Sequence, residues 1–98
     1  VFTHLSHVYS QGCSLYTTYV YRNGNSYLET LARWQKLKHQ ASQIIVNNAG
    51  TISHQHGVGK DHAPYLSVEK GELGMKVLEN LVEHFDKNQQ LNPGTLLE

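Results

Sequence analysis

The sequence has few of the residues that mark several common classes of protein. It holds one cysteine, Cys13, in 98 residues, so it can form neither an internal disulfide nor a cysteine-rich zinc site. Eight Lys and Arg residues balance eight Asp and Glu residues, which argues against electrostatic capture of nucleic acid or of an anionic membrane. No apolar run approaches the roughly 18 residues of a membrane-spanning helix. We therefore expect one small domain, or part of a larger protein, in a reducing compartment such as the cytoplasm.

The first half of the sequence predicts one long strand followed by one long helix. Residues 12–22 are rich in Tyr, Thr, Val and Leu, which is typical of a strand. The turn residues RNGN follow, and Ser26 with Glu29 forms a capping-box signature for a helix over 26–48. A single strand cannot satisfy its own backbone, so its neighbours are expected from outside this chain or from a second copy of it.

The second half predicts shorter elements and an extended tail. Residues 51–53 are expected to form a short strand. Pro64 suits the first turn of a short helix that Gly71 ends, and residues 72–88 are expected to form the last helix. The fold class is therefore α+β, with one long strand and two to three helices.

Two of the seven histidines lie one residue apart in the glycine-rich stretch GTISHQHGVGK, residues 50–60. On an extended backbone His54 and His56 would point to the same side and line one cavity. Lys60 would add a charge for an anionic group. Three interpretations stay open: an acid–base site, a polar loop without chemistry, and a zinc site. The zinc ligands would come from His7, His54, His56 and His62. Their spacing matches no standard zinc pattern, and Asp61 is the only carboxylate nearby in the sequence.

This stretch, followed about thirty residues later by LNPGTLL, resembles the C-terminal end of the FAD-linked oxidases, the vanillyl-alcohol-oxidase-like flavoenzymes. The resemblance covers residues 6–98. It implies that residues 1–98 form the C-terminal part of the cap, or substrate, domain. It also implies that the tail 89–98 returns to the FAD domain, and that an N-terminal FAD-binding domain lies outside this sequence.

Departures from the family pattern distinguish its branches. The 2-hydroxyacid dehydrogenases of the family hold a divalent metal with two histidines and a glutamate. Here His7 is retained, but Ser14 and Gln55 stand at the other two ligand positions, so the resemblance implies that no metal is bound. The order SHVY, Tyr16 and SHQHGVGK is more similar to the alkyldihydroxyacetonephosphate synthase branch, with Gln55 in place of one of three clustered histidines.

The resemblance implies a cofactor, a reaction and roles for seven residues. The cofactor is FAD, and the reaction is the exchange of acyl for alkyl on dihydroxyacetone phosphate in ether-lipid synthesis. By group, the residues are Tyr16, His56 and His54 for catalysis, His7 and Lys60 for substrate binding, and Asn92 and Gly57 for contact with the cofactor.

Two other functions stay open. In an FAD-dependent D-2-hydroxyacid dehydrogenase, His56 would take the hydroxyl proton. In a non-catalytic fragment, the histidine cluster would have no catalytic role, and we expect this fragment to be inactive by itself. The expected partners are a small-molecule or lipid-linked substrate, the FAD domain of the same protein, and a second copy of the chain. A eukaryotic synthase would be peroxisomal.

Overall fold

The computed structural model describes residues 1–97 and confirms the α+β class. Its elements are strand β1 (Phe2–Tyr9), strand β2 (Gly12–Thr18), helix α1 (Tyr27–Asn47) and helix α2 (Gly59–Phe85). The chain divides into a first unit, Val1–Lys36, and a second unit that begins at Leu37. Each unit is described by itself below.

The first unit contains a two-stranded antiparallel hairpin. β1 pairs with β2, with Leu5 opposite Leu15 and His4 opposite Tyr16. β2 ends at Thr18, earlier than the expected strand 12–22. The expectation that the strand has no neighbour within the chain is wrong, because β1 supplies one.

A β-bulge explains why β1 is hard to recognise in the sequence. The register shifts between Leu5 and Val8, and Val8 then lies opposite Cys13. Cys13 and Leu15 lie on one face of β2, so Leu5 and Val8 share a face although they are three residues apart. Leu5, Val8 and Leu15 are more than half exposed. An exposed apolar face of this kind usually marks a site of contact with a partner. That a second copy of the chain is this partner stays a prediction.

The start of α1 carries the predicted capping box. Ser26 Oγ accepts a hydrogen bond from Glu29 N at 3.1 Å, and a Glu29 carboxylate oxygen accepts one from Asn25 N at 2.7 Å. Arg33 bonds the other Glu29 oxygen and also donates to the carbonyls of Arg22 and Asn23. The Asn25 N–H and then Arg33 lower the pKa of Glu29. Helix α1 therefore begins where the capping box predicts.

α1 ends in a Schellman motif at residues 47–50. Gly50 N donates to Ile45 O at 2.9 Å, and Ala49 N donates to Val46 O at 3.0 Å. Ala49, at φ 55°, takes the left-handed position that Gly or Asn most often occupies in this motif. The helix therefore ends on an alanine, a residue that disfavours the left-handed backbone conformation that the motif requires.

α2 is longer than expected and bends at Gly71. It begins at Gly59, so Pro64 lies beyond the first turn in which it was predicted, and it ends at Phe85 instead of residue 88. Gly71 has φ 68° and ψ 172°, a conformation that almost only glycine adopts. The predicted break at Gly71 is therefore correct, although the two halves meet with no loop between them.

The buried core of the second unit lies between α1 and α2. Its apolar members are Val46, Ile52, Ala63 and Leu66, of which Leu66 is 1% exposed. Residues 51–53 form no strand, and residues 91–96 form bends and turns instead of an extended tail. Within residues 1–97, neither helix is long and apolar enough to cross a membrane.

Candidate functional site

Residues 52–58, here called the histidine loop, fold into a tight turn. His56 N donates to His54 O at 2.8 Å, and Ser53 Oγ donates to Gly57 O at 2.5 Å. Gln55 and Gly57 have positive φ values of 61° and 76°. The prediction that His54 and His56 sit on an extended backbone is therefore wrong. Their relative position is set by a three-residue turn around Gln55.

Side chains of α2 hold both ends of the histidine loop. At its start, Ile52 N donates to a Glu69 carboxylate oxygen at 3.0 Å. At its end, Val58 O lies 3.0 Å from His62 Nδ1. Residues 62 and 69 are seven apart and so share a helix face with Leu66, the most buried residue of the core. The loop is therefore anchored to one face of α2 at two points.

The histidine loop leads directly into the start of α2, which carries the positive charges of Lys60 and of the helix N-terminus. Lys60 is exposed in the first helical turn, and no side chain caps this end among the residues that the structure describes. A helix N-terminus presents unpaired N–H groups and a partial positive charge. Asp61 in the same turn offsets part of this charge. The arrangement can receive an anionic group next to His54 and His56.

The C-terminal tail contacts the same helix start. Leu96 N donates to Gly59 O at 3.5 Å, which joins LNPGTLL to the end of GTISHQHGVGK. Asn92 and Gly94 both have positive φ, at 51° and 67°. Asn92 also lines a cavity of about 690 Å³ between the tail and α2. The second unit therefore brings together the two motifs that carried the family resemblance.

Tyr16 and His7 belong to the first unit, on the hairpin. The rings of Tyr16 and His4 stack with centroids 5.2 Å apart. His7 Nδ1 lies 3.0 Å from Ser6 Oγ, and His7 N donates to Ser14 Oγ at 3.0 Å. Ser14 is thus the neighbour of His7 across the hairpin. The predicted site residues therefore divide between two places, Tyr16 and His7 on the hairpin and the other five on the second unit.

Sequence reasoning missed the contacts between α1 and α2 beside the histidine loop. Lys38 Nζ lies 2.9 Å from His62 Nε2, and His39 Nδ1 lies 2.6 Å from Tyr65 Oη. The sequence indicates His62 only as a candidate zinc ligand and indicates no role for Glu69. The seven-residue spacing of His62 and Glu69 after a glycine-rich loop was the one available signal. Among residues 1–97, no three His, Cys, Asp or Glu side chains are grouped so that they could hold a metal ion.

Comparison with known proteins identifies the family. Residues 1–96 match the model of the FAD linked oxidases, C-terminal domain. The chain belongs to this family. The predicted resemblance is thereby confirmed, and FAD is implied for full-length members of the family.

Several curated proteins are similar to the chain over almost its whole length. Alkyldihydroxyacetonephosphate synthases of Trypanosoma brucei brucei and Dictyostelium discoideum are 30% and 29% identical over 94 residues, 96% of this chain. The chain spans only 15% of the length of each synthase. A D-lactate dehydrogenase of Anaerostipes hadrus is 40% identical over 47 residues, 48% of this chain and 10% of that protein. No solved structure gives a significant match.

Proposed function

We propose that the chain is the C-terminal part of an FAD-dependent enzyme that exchanges acyl for alkyl on dihydroxyacetone phosphate. The observation that carries the proposal is the extent of the likeness to the two synthases. Their alignments cover 96% of the chain, and those to a D-lactate dehydrogenase and a glycolate oxidase subunit cover 48% each. An alignment of this extent takes in nearly all of the hairpin, the histidine loop and the tail.

The chemistry of the loop supports the same reaction. The histidine loop carries Gln55, which is neutral, where the metal-binding branch has a glutamate. Ser14 stands where that branch has its second histidine, and its hydroxyl accepts the His7 N–H. Histidine and tyrosine side chains can both take up and give back protons in acid–base catalysis.

Gly57 and Asn92 are the residues proposed to contact FAD. Gly57 has φ 76°, and no heavy atom beyond its two neighbours in the chain lies within 4 Å of the position that a Cβ would take, among the residues that the structure describes. A flat ligand can therefore approach this backbone closely. Asn92 is exposed and offers a side-chain amide for hydrogen bonds to ring oxygen and nitrogen atoms. Bound FAD would supply the electron-accepting ring chemistry, and the rest of its site would lie in another domain.

The residues of this chain would bind the substrate and move protons. Lys60 and the uncapped start of α2 would hold the substrate phosphate, since both present positive charge to an anion. His54 and His7 would orient the substrate carbon chain and carbonyl. Tyr16 and His56 would exchange protons with the departing acid and the entering alcohol. Each of these roles is a hypothesis carried over from the matching motif positions.

Variants of the flavoprotein that contains this chain test these roles. We expect Tyr16→Phe and His56→Ala each to lower the rate of acyl-for-alkyl exchange by about 10²–10⁴-fold, the usual contribution of acid–base catalysis. FAD should stay bound in both. Tyr27→Phe and His84→Ala are matched controls, because both residues are exposed and outside the proposed site. Wild-type exchange rates in both site variants would refute the proposal.

A D-2-hydroxyacid dehydrogenase is the second candidate. It is favoured by the higher identity, 40%, of the shorter alignments to D-lactate dehydrogenase and glycolate oxidase subunit GlcD. In this function His56 would take the substrate hydroxyl proton. Reduction of bound flavin by a D-2-hydroxyacid would distinguish it from the synthase.

A further inference from the structure

The imidazole of His62 joins the histidine loop to both helices of the second unit. Its Nδ1 lies 3.0 Å from Val58 O, and its Nε2 lies 2.9 Å from Lys38 Nζ. Val58 is the last residue of the histidine loop, and Lys38 lies on α1. The ring is partly buried, so these two contacts replace water at both nitrogens.

The partners of His62 decide which ring nitrogen carries the proton. The Lys38 ammonium can only donate, so Nε2 must accept. A carbonyl oxygen can only accept, so Nδ1 must carry hydrogen and donate to Val58 O. Both contacts hold together only in the neutral ring protonated at Nδ1. Lys38 thus fixes the tautomer that binds the loop.

We propose that His62 is a positioning residue for the catalytic histidines, held by Lys38 as the neutral Nδ1-protonated tautomer. This inference rests on the proposed function for its catalytic consequence only. The two contacts of His62, with Val58 O and with Lys38 Nζ, are here called the clamp. The clamp is a property of the fold and does not depend on the proposed function.

The histidine loop needs such a clamp because its backbone is permissive. It contains Gly57 and a second residue with positive φ, Gln55. Glu69 holds Ile52 at the start of the loop, and Ile52 is buried against the core. At the other end, Val58 is only partly buried, and the His62 hydrogen bond adds to its anchoring at the start of α2. Acid–base groups must be held to within about 0.5 Å of their productive positions.

Two substitutions of His62 separate the hydrogen bonds from simple bulk. His62→Gln keeps one donor and one acceptor at the end of the side chain, so it can donate to Val58 O and accept from Lys38. His62→Leu fills a similar space and offers neither. Lys38→Met removes the donor that fixes the tautomer. His84→Leu is the matched control, because His84 is exposed near the far end of α2 and contacts Phe85.

Hydrogen–deuterium exchange of a peptide spanning residues 52–58 tests the clamp without any assay of activity. We expect His62→Leu to raise the exchange rate of this peptide by about fivefold to tenfold, the factor for one lost hydrogen bond. Lys38→Met should raise it by a smaller factor, and His62→Gln and His84→Leu should leave it at the wild-type rate. If His62→Leu unfolds the second unit, shown by faster exchange over all of α2, the exchange rates of Lys38→Met and His62→Gln test the clamp instead. Wild-type exchange in both His62→Leu and Lys38→Met, or equally fast exchange in the Gln and Leu variants, would overturn the inference.

Turnover of the flavoprotein tests the catalytic consequence separately. His62→Leu should lower kcat more than it changes KM, and His62→Gln should restore most of kcat. If the wild-type protein shows no flavin and no exchange reaction, the proposed function fails, but the deuterium-exchange result still stands. If the loop loosens in His62→Leu while kcat is unchanged, the positioning role is refuted although the clamp is real.

Discussion

Replacing Ala49 by glycine should stabilise the chain, because Ala49 occupies a backbone conformation that suits glycine better. Its φ is 55°, and its N–H and that of Gly50 close the Schellman motif of α1. An L-residue in the left-handed region costs roughly 1–2 kcal/mol relative to the right-handed one. Ala49 is exposed, so no buried contact is lost with its methyl group.

The expected gain is smaller than the strain, because glycine also loses more freedom on folding. This loss of entropy offsets about 0.4–1 kcal/mol of the strain that glycine relieves. We therefore expect Ala49→Gly to raise the free energy of unfolding by about 0.5–1 kcal/mol. For a domain of this size, 1 kcal/mol shifts the Tm by roughly 4–8 °C. Thermal unfolding followed by far-ultraviolet circular dichroism measures this shift.

The same substitution elsewhere on α1 provides the control. Ala32 is exposed in the helix interior, where glycine costs about 1 kcal/mol. Ala32→Gly should therefore lower the Tm while Ala49→Gly raises it. A fall in Tm for both variants would refute the argument from the Schellman motif.

Three further predictions concern the other local features of the fold. Gly24→Ala should destabilise the start of α1 by about 1–3 kcal/mol, because a Cβ at Gly24 would lie 2.6 Å from Glu29 Cβ; an unchanged Tm would contradict the close contact. Gly71→Ala should lower the free energy of unfolding by about 1–3 kcal/mol, because the φ of 68° and ψ of 172° are strained for alanine. Chemical denaturation measures this loss of stability. A gain in stability would contradict the prediction, since it would show that α2 can straighten at residue 71 without strain. Both Glu29 and Glu69 have a pKa lowered by hydrogen bonds from backbone N–H groups, those of Asn25 and Ile52. Their contribution to stability is therefore complete above the ordinary value of 4.5 and is lost as the pH falls through their lower pKa values in the folded chain. A pH titration of unfolding should show this loss, and it should be smaller in Glu69→Gln.

Local signals in the sequence predicted the parts of the fold that depend on local interactions. Ser26 and Glu29 marked the start of α1, and Gly71 marked the bend of α2, because caps and positive φ angles follow from nearby residues. β1 was missed because its bulge places Leu5 and Val8 on one face at an odd spacing. The strict alternation that identifies a strand is absent there.

The chemistry of the candidate site could be predicted from the motif, but the support of the site could not. Roles for His54, His56 and Tyr16 came from the family resemblance, and they stay predictions. The contacts of His62 with Lys38 and of Glu69 with Ile52 join residues 24 and 17 positions apart. Contacts across such separations depend on how α1 and α2 pack. A single sequence does not reveal that packing.

We propose that this chain serves an FAD-dependent enzyme of the synthase type. The most direct test is the visible absorption spectrum of the flavoprotein that contains this chain, recorded during anaerobic addition of substrates. We predict an oxidised flavin band that survives D-2-hydroxyacids and changes when an acylated dihydroxyacetone phosphate is added. Bleaching of the band by a D-2-hydroxyacid would contradict the synthase function and support the dehydrogenase. A protein with no flavin band would contradict the proposed cofactor.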